Sequence, residues 1–236
     1  MYWLDDERLI IYTEKYGTML LVNPFTGEQK TLASELPNLN PNFKPGLWWP
    51  VVYSPDLEWV AYYSLRKENG KNVEGPVVYN VVNKQTLWNA GNGVGSDPAW
   101  SLDGQVLAFT GGMNEHQLYL FSHTGQVKAV LDESLPHEAF AFAWSPDGRY
   151  IAFWNAERLM IYDRQMDWVF DTCISLSYSH GSDSDTPSWS PDSHQVIVMQ
   201  SSAQPLLVDW QKKMAYRIKG KDRLNSMLGA WMNSQP

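Results

Sequence analysis

Eight residues of this chain have side chains that could do chemistry, and each lies in a loop or just before a predicted strand. Carboxylates could assist hydrolysis or hold a divalent cation, and imidazoles could share in holding that cation. Indole rings could stack on a sugar or anchor a protein partner. The eight candidates are Trp48, Trp49, Asp97, His137, Glu138, His180, Asp183 and Asp185.

A repeated sequence determines where these residues lie. The segment WSPDGRYIAF begins at Trp144, and related segments begin at Tyr53, Trp100 and Trp189, so that successive anchors are 47, 44 and 45 residues apart. A period of roughly 40–50 residues built from short strands indicates a β-propeller with one four-stranded blade per repeat. The Ser-Pro-Asp-Gly after the anchor predicts a tight turn, because Pro presets φ, Asp bonds its own backbone and Gly accepts a positive φ.

The other strands of each repeat follow from residue type. β-branched and aromatic residues predict a second strand after the turn, as at Tyr150–Phe153, and a third strand farther on, as at Leu159–Tyr162. An apolar stretch, Ala139–Trp144, leads into the anchor and predicts the first strand. We therefore predict an all-β chain whose repeats are antiparallel four-stranded sheets.

The blades of a propeller form a ring, and the two ends of the chain bear on how that ring closes. Trp3 begins a first repeat, and Leu228–Trp231 has the pattern of one more anchor strand. We predict a single domain over residues 1–236, a five-bladed β-propeller closed by the C-terminal strand joining the N-terminal blade. Because Trp3 and Trp231 claim the same anchor position, either Met1–Trp3 is displaced or a longer parent chain carried a further blade.

These repeats resemble the WD40-like repeats of the TolB type, in which an acid, a Pro and a small residue precede Trp-Ser-Pro-Asp-Gly and an Ile-Ala-Phe strand. Ser96–Ser101 and Asp185–Asp192 match that pattern closely, and Asp163 and Asp209 match its third strand, which ends in Asp. The resemblance runs from about Trp3 to Trp231 and implies a propeller. It implies no one function, because such propellers occur in transport-associated proteins, peptidases and sensors. The chain lacks the helical N-terminal domain of TolB and has five predicted blades instead of six.

The loops that lead into the innermost strands of a propeller converge at the mouth of its channel, where ligands bind. One such loop carries Asp97, one carries His137 and Glu138, and one carries His180, Asp183 and Asp185. No cofactor is implied by a motif, but these groups could hold a divalent cation at the mouth. The structural alternative is that the acids bond backbone amides between blades while the imidazoles are solvated. Asp97, Glu138 and Asp185 precede their anchors by three, six and four residues, respectively. These different offsets place the three acids at different depths in the channel and argue against a single catalytic ring.

Trp48 and Trp49 lead directly into an inner strand. Side chains alternate along a strand, so one of the two rings could face the channel or its rim and bind a partner or a sugar. The alternative is packing between blades, which we predict for the anchors Trp3, Trp100, Trp144, Trp189 and Trp231.

Composition excludes several classes of function. The formal net charge of −8 argues against a nucleic-acid surface. With Cys173 as its one cysteine, the chain has neither an intrachain disulfide nor a C-x-x-C site. Its apolar runs are shorter than the ~20 residues of a membrane span. No secretory signal follows Met1, so we expect the chain as written in the cytoplasm, or outside it if the chain is part of an exported protein.

No sequence motif identifies an enzyme, because G-x-S-x-G, H-E-x-x-H and a P-loop are all missing from the sequence. We therefore predict a non-enzymatic recognition or scaffold propeller that binds a protein or peptide at the channel mouth and rim loops. The alternative is a glycan-binding or glycan-cleaving propeller that uses Asp97, Glu138 and Asp185 with Trp48 or Trp49. Fold alone does not choose between them.

Overall fold

A computed structural model describes most of the chain, namely residues 2–13, 18–32, 36–37, 51–89, 95–111, 117–131, 139–175, 186–198 and 205–218. Within these ranges the chain forms twenty strands and no helix. The strands make five four-stranded sheets, and in each sheet the hydrogen-bonded order follows the chain order. The all-β prediction is therefore confirmed for the described residues.

The first twelve strands are short, apart from one long pair in the second sheet. Sheet 1 consists of β1 (Tyr2–Trp3), β2 (Leu9–Thr13), β3 (Thr18–Val22) and β4 (Gln29–Thr31). Sheet 2 consists of β5 (Val52–Tyr53), β6 (Trp59–Glu68), β7 (Lys71–Asn80) and β8 (Gln85–Asn89). Sheet 3 consists of β9 (Gly95–Trp100), β10 (Val106–Gly111), β11 (Gln117–Ser122) and β12 (Val127–Ala129).

The last two sheets repeat the plan. Sheet 4 consists of β13 (Ala139–Trp144), β14 (Tyr150–Asn155), β15 (Arg158–Asp163) and β16 (Trp168–Ser175). Sheet 5 consists of β17 (Ser188–Trp189), β18 (Gln195–Val198), β19 (Leu206–Asp209) and β20 (Met214–Arg217). Each predicted anchor from Tyr53 to Trp189 ends the first strand of its sheet, as the repeat predicts.

The N-terminal strand pairs within sheet 1, in a register that differs from that of the other sheets. β1 pairs with β2 in the register Tyr2↔Ile10 and Trp3↔Leu9, so Trp3 lies opposite the residue six positions on. The four later anchors lie opposite the residue seven positions on, as Trp144 lies opposite Ile151. Both options for the N-terminus therefore stay predictions. Residues 228–231 lie outside the described residues, and closure by the C-terminal strand stays a prediction.

The contacts divide the chain into two compact units, residues 1–113 with 121–126 and residues 114–120 with 127–236. In the first unit, buried residues of sheets 1 and 2 form one apolar cluster that includes Ile10, Met19, Val60 and Tyr62. In the second unit, sheets 4 and 5 form another, which includes Ala152, Ile161, Val196 and Val208. Removing these side chains from water is the main source of stability for each pair of sheets.

Aromatic rings repeat at the junction of neighbouring sheets. In the first unit, the His123 ring stacks on the buried Trp59 at 4.9 Å and meets the edge of Trp100 at 6.0 Å. In the second unit, Tyr150 stacks on Trp189 at 6.0 Å and meets Trp210 at 4.9 Å. Trp100 and Trp189 are both buried, which confirms the packing role predicted for these two anchors.

Candidate binding site at the hairpin ends of the sheets

The eight residues singled out by the sequence lie almost entirely outside the described part of the chain. For Asp97 the structure describes the backbone alone. The other seven residues fall outside the described ranges, and they are Trp48, Trp49, His137, Glu138, His180, Asp183 and Asp185. The structure therefore neither brings these side chains together nor separates them, and their roles stay predictions.

The backbone of Asp97 lies at an irregularity of β9. Ala99 pairs with Ala108 and Ser96 with Thr110, so two residues of β9, Asp97 and Pro98, oppose a single residue of β10. Sheet 4 has the same bulge, where β13 places two residues opposite one of β14. Its counterpart of Asp97 is Ala141, three residues before the anchor. A bulge that an alanine can occupy does not itself require a carboxylate, and the role of the Asp97 side chain stays a prediction.

Each sheet has two ends that differ in chemistry. At the turn end, the first strand passes into the second, through Ser-Pro-Asp in sheets 2, 4 and 5, through Ser-Leu-Asp in sheet 3 and through Leu-Asp-Asp in sheet 1. At the hairpin end, the second strand passes into the third, and the first strand begins. The predicted mouth loops enter at the hairpin end.

The acids at the turn ends are engaged within their own turns. In sheet 4, Ser145 Oγ donates to Asp147 Oδ1 over 2.5 Å and accepts from the Tyr150 amide over 2.8 Å, while the same Oδ1 accepts from the Arg149 amide over 3.0 Å. The turns of sheets 2, 3 and 5 repeat this arrangement with Asp56, Asp103 and Asp192. A carboxylate held in this way shapes the turn and is a poor candidate for catalysis.

The ionised form of one turn acid is stabilised by its turn. The hydroxyl of Ser190 and the amide of His194 donate to Asp192, and they lower the pKa of that carboxyl. Neighbouring turns also contact one another, because Arg8 Nη2 donates to the Pro55 carbonyl oxygen over 2.9 Å and the Asp147 amide donates to Ser193 Oγ over 3.1 Å. The turn ends are thus tied together within each unit.

The acids that end the third strands are also structural. Asp163 is 1% exposed and accepts two bonds from the amides of Gln165 and Met166. The Arg149 guanidinium binds the same carboxylate, with Nη2 at 2.6 Å from Oδ2 and Nε at 3.1 Å from Oδ1. Burial alone raises the pKa of Asp163, but the bonds from Arg149 and the two amides outweigh burial and lower it.

The hairpin end of sheet 2 carries the most distinctive surface among the described residues. β6 and β7 are ten residues each and pair without interruption from Trp59↔Asn80 to Glu68↔Lys71. In sheet 4, by contrast, the corresponding strands end at the pair Asn155↔Arg158. Asn155 lies eleven residues after its anchor, and so does Ser64 in sheet 2. We call the additional ribbon of sheet 2, Leu65–Glu74, the arm.

The arm is a projecting two-stranded ribbon. Its four additional pairs extend roughly 13 Å at ~3.3 Å per residue. Among the described residues, β5 pairs with β6 at Val60 and Ala61, and β8 pairs with β7 at Val77–Asn80. Neither outer strand of the sheet therefore reaches the arm within the described ranges.

Sequence analysis missed the arm, although a signal for it exists. Asn69-Gly70 is the strongest two-residue hairpin signal when it lies between strand-forming segments. Both residues have positive φ, 50° at Asn69 and 78° at Gly70. The charged residues around this pair hid the strand pattern, because exposed strands need not alternate between apolar and polar side chains.

Two features are absent from the described part of the chain. No group of three or more His, Cys, Asp and Glu side chains in the described ranges is placed to hold a metal ion. The same part of the chain contains no helix long and apolar enough to cross a membrane.

No protein-family model matches the chain, and no curated protein is significantly similar to it in sequence. Solved structures are similar in fold. TolB from Acinetobacter baumannii aligns over 90% of this chain and 52% of its own, at 18% identity and a TM-score of 0.56. An oligogalacturonate lyase in complex with manganese aligns over 90% and 62%, at 12% identity and a TM-score of 0.63. The oligogalacturonate lyase of Vibrio parahaemolyticus aligns over 92% and 63%, at 10% identity and a TM-score of 0.61.

The chain thus spans between 52% and 63% of the length of these three solved chains. At such low identity a structural likeness identifies the fold and not the function. Together with the five sheets, the likeness supports a TolB-like β-propeller fold.

Proposed function

We propose that the chain is a recognition propeller that binds an extended segment of a protein or peptide at the hairpin ends of its sheets. One observation carries this proposal. The turn ends engage their acids and hydroxyls internally, whereas the hairpin end of sheet 2 projects a ribbon with exposed Lys67, Lys71 and Asn72. Binding residues are commonly held on projecting segments of a rigid scaffold.

The proposal includes the arrangement of the sheets. The five sheets serve as five blades of a single domain, 1–236, and the segment around Trp231 closes the ring against the N-terminal blade. In that ring the arm and the loops with Trp48, Trp49, Asp97, His137, Glu138, His180, Asp183 and Asp185 lie at one mouth. The arm provides backbone groups, and the two indoles provide apolar anchors.

Selection from a library of random displayed peptides tests the proposal, with the intact chain immobilised as the target. The matched variant replaces Leu65–Glu74 by Asn-Gly, which shortens sheet 2 to the hairpin length of sheet 4. We expect enriched peptides that bind the intact chain with a Kd on the order of 1–100 μM and bind the shortened variant at least about tenfold more weakly. A lack of enrichment over bare support, or peptides that bind both chains alike, contradicts the proposal.

A second candidate function comes from the structural likeness, since two of the similar structures named above are oligogalacturonate lyases. In this alternative the carboxylates Asp97, Glu138 and Asp185 act on a glycan, with or without a divalent cation. Incubation of the chain with oligogalacturonate, with and without manganese, followed by product sizing, tests it. Shorter products that vanish in the Asp97→Asn variant support the alternative, and an unchanged size distribution rejects it.

A further inference from the structure

Among the described residues, no strand pairs with the β7 edge of the arm, and the outward groups of this edge can be identified from the register. Glu68 and Lys71 close the two-residue turn and form a hydrogen-bonded pair, as such a turn requires. Hydrogen-bonded and non-hydrogen-bonded pairs alternate in an antiparallel ribbon, so Lys67↔Asn72 is a non-hydrogen-bonded pair. The backbone N–H and C=O of Asn72, and two residues on those of Glu74, therefore point away from β6.

These outward groups are positioned to receive another strand. The outer strand β8 pairs with β7 no nearer the arm than Val77, among the residues described. Pro76 has no N–H and marks the base of the free stretch. An edge that presents alternate N–H and C=O groups is a template for an extended peptide, which adds to it as a further strand.

The formal charge of the arm is +1, because Arg66, Lys67 and Lys71 outnumber Glu68 and Glu74. Lys67 and Lys71 are exposed, and their positions in the register place them on opposite faces of the ribbon. The chain as a whole has a formal net charge of −8, so this local excess of positive charge favours an acidic segment over a basic one. The side chains of an added strand alternate between the two faces of the ribbon. Two consecutive acidic residues therefore place one carboxylate on the face that carries Lys67 and the other on the face that carries Lys71.

We propose that the β7 edge of the arm binds an extended, acidic segment of a partner protein by strand addition. This inference rests on the proposed function and specifies the chemical class of the partner. Backbone hydrogen bonds to Asn72 and Glu74 provide affinity, and the lysines select acidic over basic segments.

Two labelled peptides test the inference by fluorescence anisotropy on the intact chain. One repeats Glu-Glu-Val-Val over eight residues, and the other repeats Lys-Lys-Val-Val. We expect the acidic peptide to bind, the basic peptide to bind at least about tenfold more weakly, and raised salt to weaken the acidic peptide, because exposed charges are screened. Equal binding of both peptides, or no binding of either, overturns the inference.

Substitutions in the arm separate the backbone contribution from the charges. Asn72→Pro removes the outward N–H without removing a bond inside the ribbon, and Asn72→Ala is its control because it keeps that N–H. We expect Asn72→Pro to weaken the acidic peptide about tenfold and Asn72→Ala to leave it within about twofold. Equal effects of the two variants overturn strand addition.

Charge reversal provides the second comparison. Lys67→Glu with Lys71→Glu should weaken the acidic peptide by about three- to tenfold, as expected for two exposed ion pairs. Lys30 is an exposed lysine of β4, outside the arm. Lys30→Glu makes the same kind of charge change there and should have little effect on binding of the acidic peptide. Thermal melting confirms that each variant is folded. If display yields arm-dependent peptides but the acidic peptide does not bind, this inference fails and the proposed function stands; if display yields none, the proposed function fails too.

Discussion

Trp189 donates its indole N–H to the carbonyl oxygen of Ala143 over 3.0 Å, and this bond joins sheet 5 to sheet 4. Trp100 makes the equivalent bond to Val52 over 3.2 Å, from sheet 3 to sheet 2. In both cases the acceptor is the residue just before the anchor of the preceding sheet. The repeated tryptophan thus adds a directional bond between sheets to its apolar packing, which a phenylalanine could not do.

Replacing Trp189 by Phe should destabilise the chain through the loss of that donor. The ring can still stack on Tyr150, but the Ala143 carbonyl is left without its buried partner, at a cost of about 1–3 kcal/mol. Urea unfolding followed by circular dichroism measures the effect. Trp168→Phe is the matched control, because Trp168 is 60% exposed, and equal losses in the two variants would contradict the assigned role of the indole N–H.

Ser145→Ala tests the repeated turn. The hydroxyl both donates to Asp147 and accepts from the Tyr150 amide, so its loss leaves a buried amide unsatisfied. We expect a destabilisation of about 1–3 kcal/mol. A double-mutant cycle with Asp147→Ala should be non-additive, because the two side chains belong to one hydrogen-bonded turn. Strict additivity would show that serine and aspartate act independently.

His123 directly follows the third strand of sheet 3, as Trp210 directly follows the third strand of sheet 5. The His123 ring contacts two buried tryptophans, Trp59 and Trp100. Replacing His123 by Ala should remove both ring contacts and cost about 1–2 kcal/mol. His194→Ala, at an exposed turn position, should be nearly neutral. Thermal melting at neutral pH compares the two, and a neutral His123 variant would show that the stacking contributes little.

Asp163 should make stability depend on pH in the acid range. Its pKa is lowered in the native chain, so its contribution is complete above the unfolded value of about 4 and is lost as the pH falls through the native value. In Asp163→Asn this contribution is missing at every pH. The difference in unfolding free energy between wild type and variant should therefore shrink as the pH falls from about 5 towards 2. A constant difference would contradict the prediction, and Asp6→Asn, at an exposed position, is the control.

The local features of the fold could be predicted because their causes are local. The turn at Ser145–Gly148 follows from Pro, Asp and Gly in sequence, and Gly148 has the expected positive φ of 68°. Leu57 and Ser193 adopt the same conformation without being glycine, so the turn is imposed by its hydrogen bonds as well as by residue type. The predicted strand Ala139–Trp144 is β13 as observed.

The candidate site could be predicted only in part. The sequence identified residues with suitable chemistry, but it could not show that Asp56, Asp103, Asp147 and Asp192 are engaged in their turns or that Asp163 is paired with Arg149. Such facts depend on which backbone amides and side chains the folded chain brings within hydrogen-bond distance. The arm was missed for a related reason, since how far β6 and β7 continue past the described pairs of β5 and β8 depends on strand pairing in the folded chain.

By itself, the sequence determined the period of the repeat, the strand-turn-strand plan and the burial of the anchors Trp100 and Trp189, because these follow from residue types within a few positions of one another. The tertiary structure alone decided that an indole reaches a carbonyl 46 residues away and that β6 and β7 extend beyond β5 and β8. Contacts between distant segments form only when whole sheets pack, and packing is governed by the sum of buried surface and satisfied polar groups, which no short stretch of sequence contains.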